Sequence, residues 1–110
     1  MGMINQVVLF PRNVYPSYAA RLGIKLFDYP LTLRTIGIGS TSELEQIDHP
    51  DVLLFVDGAT MKNNKRNVCI REHISAGQGI APENIYLLTS QADLDAAFKM
   101  IKQMKEAGTL

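Results

Sequence analysis

Pro50-Asp51-Val52-Leu53-Leu54-Phe55-Val56-Asp57-Gly58 is a short apolar run closed by a carboxylate and a glycine, with the basic segment Lys62-Asn63-Asn64-Lys65-Arg66 close behind it. A continuous run of this length, rich in branched residues and flanked by turn signals, fits a strand buried on both faces. It makes the best candidate for a central strand. Asp57-Gly58 then turns the chain at that strand's carboxyl end.

Similar runs lie on either side. Val7-Val8-Leu9-Phe10, starting near Ile4, reads as a first buried strand ended by Pro11. Leu31 to Ile38 alternates apolar and polar residues and reads as a less buried strand, nearer an edge. Ile85-Tyr86-Leu87-Leu88 reads as the fourth. Between them the apolar period lengthens. Tyr15, Tyr18, Ala19, Leu22, Leu26 and Tyr29 recur at three to four residues, predicting a helix that Pro16 opens and Pro30 stops. Ser40 with Glu43, and Ser42 with Glu45, have capping-box spacing for a short helix through Ile47. A third helix is predicted from about Asn64 to Ala76, with Gly77 and Gly79 as its stop signals. Ser90 and Asp93 cap a last helix whose stripe is Leu94, Ala97, Phe98, Ile101 and Met104.

The order is βαβαβαβα. Strict alternation with short connections implies a parallel sheet with helices on both faces, a three-layer α/β/α domain. Right-handed crossovers leave few topologies, and the flavodoxin-like order 2-1-3-4 is the expectation. The chain of 110 residues reads as one domain with its own core. A hydrophobic content of 46% against 20% charged residues excludes a disordered polar chain. Formal net charge is zero, so no long-range field draws the molecule to nucleic acid or an anionic membrane. Nothing approaches the ~18 apolar residues of a membrane span, and no basic, apolar secretory leader opens the chain. With the single cysteine Cys69, these features lead to the expectation of a cytoplasmic protein.

In such a sheet ligands bind outside the carboxyl ends of the strands, at the switch point between strands one and three. That rim gathers Arg12, Asn13, Asp57, Gly58, Thr89 and Ser90, the candidate ligand- or anion-binding residues.

Across residues 31–108 the pattern resembles the receiver domains of two-component signalling. The resemblance is carried by Pro50 to Asp57, by Leu87-Leu88-Thr89-Ser90 and by Glu106-Ala107-Gly108. It implies that Asp57 occupies the place of the phosphoaccepting aspartate and Thr89 that of the hydroxyl that binds the phosphoryl oxygens. Phosphoryl transfer to a carboxylate needs a hard cation, normally Mg²⁺ held by carboxylates. Receivers provide an acidic pair for it after the first strand, where this chain has Phe10-Pro11-Arg12-Asn13. The lysine expected on a fifth strand also has no counterpart before Leu110. The resemblance is therefore to a degenerate or truncated receiver: a regulatory, signalling module that is not an enzyme, carries no resident cofactor or metal, and acts through protein contacts. Mg²⁺ enters this reading only if Asp57 is phosphorylated. The alternatives are a small-ligand or nucleotide-binding protein and an Asp57-dependent phosphoacceptor.

Three further patterns have plainer readings beside their functional ones. Gly37-Ile38-Gly39-Ser40 outlines a dinucleotide loop but equally a turn with a capping box. Lys62, Lys65 and Arg66 suit a phosphate, yet no aromatic residue stands by to stack a base, so nucleic acid is not the expected partner. Cys69 and His73, four apart, suggest half a metal site; a core cysteine beside a partly buried histidine is the simpler expectation. For partners, the fourth strand is a sheet edge, and edges must be paired or covered. With Phe98, Met100, Ile101 and Met104 on the last helix it forms the expected docking or homodimer surface.

Overall fold

A computed structural model describes residues 4–12, 15–37, 41–47, 51–58 and 64–110. Four strands, β1 (Gln6–Phe10), β2 (Leu33–Thr35), β3 (Val52–Asp57) and β4 (Ile85–Leu88), alternate with helices. The helices are α1 (Tyr18–Leu26), a 3-10 helix (Thr41–Gln46), α2 (Asn64–Gln78) and α3 (Gln91–Glu106), with a further 3-10 turn, Pro82–Asn84, leading into β4. All strand pairs are parallel, in the order β2-β1-β3-β4. This is the flavodoxin-like α/β layout expected from the alternation.

The two central strands show why their sequences are apolar throughout. Every residue of β1 and β3 is buried. Successive side chains point to opposite faces, so each strand feeds two cores. Val7, Leu9, Leu53 and Phe55 join Ala19, Leu22 and Leu26 of α1 and Leu94, Ala97 and Ile101 of α3. Val8, Phe10, Leu54 and Val56 join Leu44, Ile47, Ile74 and Ile80 on the other face. The edge strands are covered less: Leu33 and Arg34 of β2 and Tyr86 and Leu87 of β4 are only half-buried.

The faces follow from a constant crossover hand. From β1 to β2 the chain steps one way across the sheet and uses the face of α1. From β2 to β3 and from β3 to β4 it steps the other way and uses the opposite face. α3 then returns to the face of α1, where the Tyr29 and Phe98 rings meet edge to face with centroids 5.5 Å apart. A strand placed beside β4 from this position of α3 would require the opposite hand. Among the described residues nothing pairs with the outer side of β4. At the far rim the segment before β1 meets the segment after α3: Ile4 N–H donates to the Thr109 carbonyl (3.0 Å), and Leu110 packs against the core.

Several local expectations need correction. Tyr15 lies outside the α1 stripe and is 98% exposed, because the helix begins only after the Ser17 cap. β2 is three residues long rather than spanning Leu31 to Ile38, although Val7 N–H to Thr32 O and Ile36 N–H to Leu9 O extend its ladder by one bond at each end. The second helix is 3-10 in its backbone, and Ser40 lies outside the described residues. Gly77 lies within α2; the stop is Gly79, whose φ of 70° a side chain would resist.

Burial predicts a contrast between two isoleucines. Ile101 is fully buried and Ile24 is 77% exposed. We expect Ile101→Ala to cost about 2 to 5 kcal/mol in urea unfolding and Ile24→Ala to change stability by about 0.5 kcal/mol or less. Equal effects would remove the basis for placing α3 against α1.

Candidate functional site

The carboxyl ends of β1, β3 and β4 form one rim. Phe10 is in register with Val56, and Asp57 with Leu88. The residues that follow, Pro11 and Arg12 after β1, Gly58 after β3 and Thr89 after β4, therefore arrive at the same end of the sheet. Asn13 lies outside the described residues.

Asp57 is 1% exposed, one of two buried polar residues among those described. A buried carboxylate is costly unless its lone pairs meet donors, and here they do. Oδ1 accepts from the Ala19 N–H at 2.8 Å. Oδ2 accepts from the Ser17 hydroxyl at 2.7 Å and the Arg12 N–H at 3.1 Å. Ser17 is the N-cap of α1, and its Oγ also accepts from the Ala20 N–H. Asp57 and Ser17 thus satisfy two of the unpaired amides at the start of α1. A carboxylate there also meets the positive end of the helix dipole. The Arg12 guanidinium bonds the Asp57 carbonyl oxygen at 3.2 Å rather than its carboxylate. The switch point between β1 and β3 is filled by this knot of hydrogen bonds.

Thr89 shares the rim with Asp57 but has different partners. Its N–H and hydroxyl both donate to Asp93 Oδ2, at 2.8 and 2.7 Å, while Asp93 N–H donates to Ser90 Oγ at 3.2 Å. Thr89 and Ser90 therefore anchor the start of α3. The faces also differ. Asp57 is aligned with Leu88, which lies in the core under α1 and α3, whereas Leu87 packs against the opposite core. Thr89 lines a hollow with Leu87, Asn67, Val68 and Arg71 under α2. Gly58 approaches two of these residues tightly: a methyl group there would stand 2.9 Å from Thr89 Cγ2 and 3.1 Å from Leu87 Cβ.

The remaining candidates separate. Cys69 and His73 are both exposed, correcting the expectation of a core cysteine beside a partly buried histidine. Their helix carries its buried Ile74 on another side. Among the described residues no three His, Cys, Asp or Glu side chains gather closely enough to hold a metal ion. Ile38, Gly39, Ser40, His49, Lys62 and Asn63 lie outside the described residues. Of the four α3 residues expected on a docking surface, Ile101 belongs to the core instead. Phe98 is wedged against Tyr29, with Lys25 Nζ at 5.2 Å and Lys102 Nζ at 5.6 Å from its ring centre. Met104 is half-buried against the same core. Met100 lines a groove of about 170 Å³ with Tyr86, Leu88, Asp93 and Ala97.

Sequence reasoning missed Ser17 and the Ala19 amide as partners of Asp57, and Asn67 and Arg71 as neighbours of Thr89. Ser17 had a usable signal, a serine placed just before an apolar helical stripe. The amide and the α2 residues had none, because tertiary packing alone brings them to the rim. The chain matches no protein-family model, no curated protein and no solved structure.

Loss of the Asp57 carboxylate leaves three donors without an acceptor. We expect Asp57→Ala to destabilise by about 3 kcal/mol or more and Ser17→Ala by about 1 to 2 kcal/mol. The double variant should lose less than the sum, with a coupling of roughly 1 kcal/mol by denaturant titration. Additive losses would show that the two side chains do not act as one cap.

Proposed function

We propose that the chain is a regulatory interaction module of the pseudo-receiver kind, acting in the cytoplasm through protein contacts rather than through phosphorylation of Asp57. The observation that carries this reading is the state of the Asp57 carboxylate. A nucleophile needs a free lone pair and a path to phosphorus. Both oxygens of Asp57 already hold donors, and the group is 1% exposed. Phosphorylation would have to break α1's cap before chemistry began.

Interaction is supported by the uncovered flank of the sheet. The outer side of β4 carries backbone donors and acceptors with no partner strand among the described residues, and such edges pair readily. Tyr86 and Leu87 are half-buried beside it. Met100, across the groove from β4, adds an adaptable apolar side chain. The partner we favour is a second copy of this chain, its β4 laid antiparallel to the first about a two-fold axis, an arrangement that is self-complementary.

Two measurements test the reading. After incubation with Mg²⁺ and acetyl phosphate, intact mass should show no gain of ~80 Da; a gain that Asp57→Asn removes would overturn it in favour of a phosphoacceptor. Sedimentation at micromolar concentration should show a dimer that Leu87→Lys converts to monomer. A monomeric parent protein would remove self-association as the output.

A further inference from the structure

On the face of the sheet away from α1 and α3, the helix α2 leaves the end of β4 incompletely covered. Ile74 of α2 is buried, yet Val68 is 51% exposed and Leu87 beneath is only half-buried. The result is a hollow of about 370 Å³ bounded by Asn67, Val68, Arg71, Leu87 and Thr89, a size within the range of small-molecule sites. It opens at the carboxyl end of the parallel sheet, the end at which such folds bind ligands.

The lining has two chemical parts. Leu87 and Val68 provide an apolar wall. Arg71 provides a permanent cation; Asn67 and Thr89 border the hollow, with the N–H and hydroxyl of Thr89 committed to Asp93. Arg71 also carries an unresolved demand: its Nε is buried and has no hydrogen-bond acceptor among the described residues. Buried donors are nearly always paired, so an unpaired one marks a place where an acceptor is expected. A guanidinium presents Nε–H and Nη–H side by side, a fork matched by two oxygens of a carboxylate or phosphate.

We propose that this hollow binds a small organic anion, with its carboxylate or phosphate on Arg71 and a compact apolar body against Leu87 and Val68. A small turn of the Arg71 side chain brings the fork to the ligand and gives Nε its acceptor. The inference does not rest on the proposed dimer, although Leu87 borders both the hollow and the α3–β4 groove; Arg71, which carries the anion, borders only the hollow. The inference is also independent of Asp57, whose carboxylate is committed to α1.

The test is a titration of the ¹⁵N-labelled chain by NMR, reading the Arg71 Nε–H and the Asn67 and Thr89 amides. Four probes separate the contributions: benzoate and phenyl phosphate carry both parts, inorganic phosphate lacks the apolar body, and benzyl alcohol lacks the charge. The expected result is saturable shifts at all three residues with benzoate or phenyl phosphate, at least tenfold tighter than with the other two probes. Whichever of the two wins identifies the anion. Arg71→Gln should weaken that binding at least tenfold while leaving the remaining amide spectrum in place. Gly58→Ala, whose methyl group would press on Thr89 and Leu87 of the lining, should weaken it too. Equal responses to benzoate and benzyl alcohol, unchanged binding in Arg71→Gln, or shifts centred on Lys65 instead of Arg71 would each overturn the proposal, as would the absence of saturation with every probe.

Discussion

One buried carboxylate ties the first helix to the middle of the sheet. Asp57 ends β3, the strand that pairs with both β1 and β4, and its two oxygens receive an amide of α1, the cap hydroxyl of Ser17 and the amide of Arg12. A helix start normally leaves several amides to water. Here two are met inside the protein, one by Asp57 and one by Ser17, so α1 can begin at the sheet's rim without exposing its first turn. The angle at which α1 leaves that rim then decides how Ala19, Leu22 and Leu26 meet β1 and β3. The carboxylate on which the receiver-like reading of the sequence rests is thus employed in holding the fold together.

That arrangement divides the molecule into working regions. The switch point, where ligands enter most sheets of this order, is occupied by the protein's own hydrogen bonds. The surfaces left incompletely covered lie on the flanks. On one face α3 crosses back to α1, with Phe98 and Tyr29 forming the seam, and the outer side of β4 is left without a neighbour. On the other face α2 contributes Ile74 to the core but leaves Leu87 of β4 bordering a hollow. Both proposals draw on incomplete cover over β4, the last strand of the sheet.

The main architecture was legible because it rests on local patterns. Val7 to Phe10 and Val52 to Val56 read as strands buried on both faces, as the structure shows, and the three-to-four spacing of Leu94, Ala97 and Ile101 matches the buried side of α3. Ser90 with Asp93 announced that helix's start, and the structure confirms the bond between them. Failures came where a residue's setting depended on distant chain. Tyr15 fits the α1 spacing but falls before the cap. Cys69 looks like a core residue by type, yet α2 buries only one narrow side. Ile101 and Phe98 could be told from a docking surface only once α1 was known to lie beside α3.

The sequence by itself determined the alternation of strands and helices, the parallel order of the sheet and the arrival of Arg12, Asp57 and Thr89 at one rim. Those properties follow from periodicity, turn residues and a fixed crossover hand. Only the tertiary structure decided what the rim does with them. Asp57 turns toward α1 and Thr89 toward Asp93 and the hollow under α2, because Thr89 stands one position beyond Leu88, the register partner of Asp57, and successive positions along a strand face opposite sides of a sheet; each polar group, once buried, binds a donor or acceptor that packing supplies.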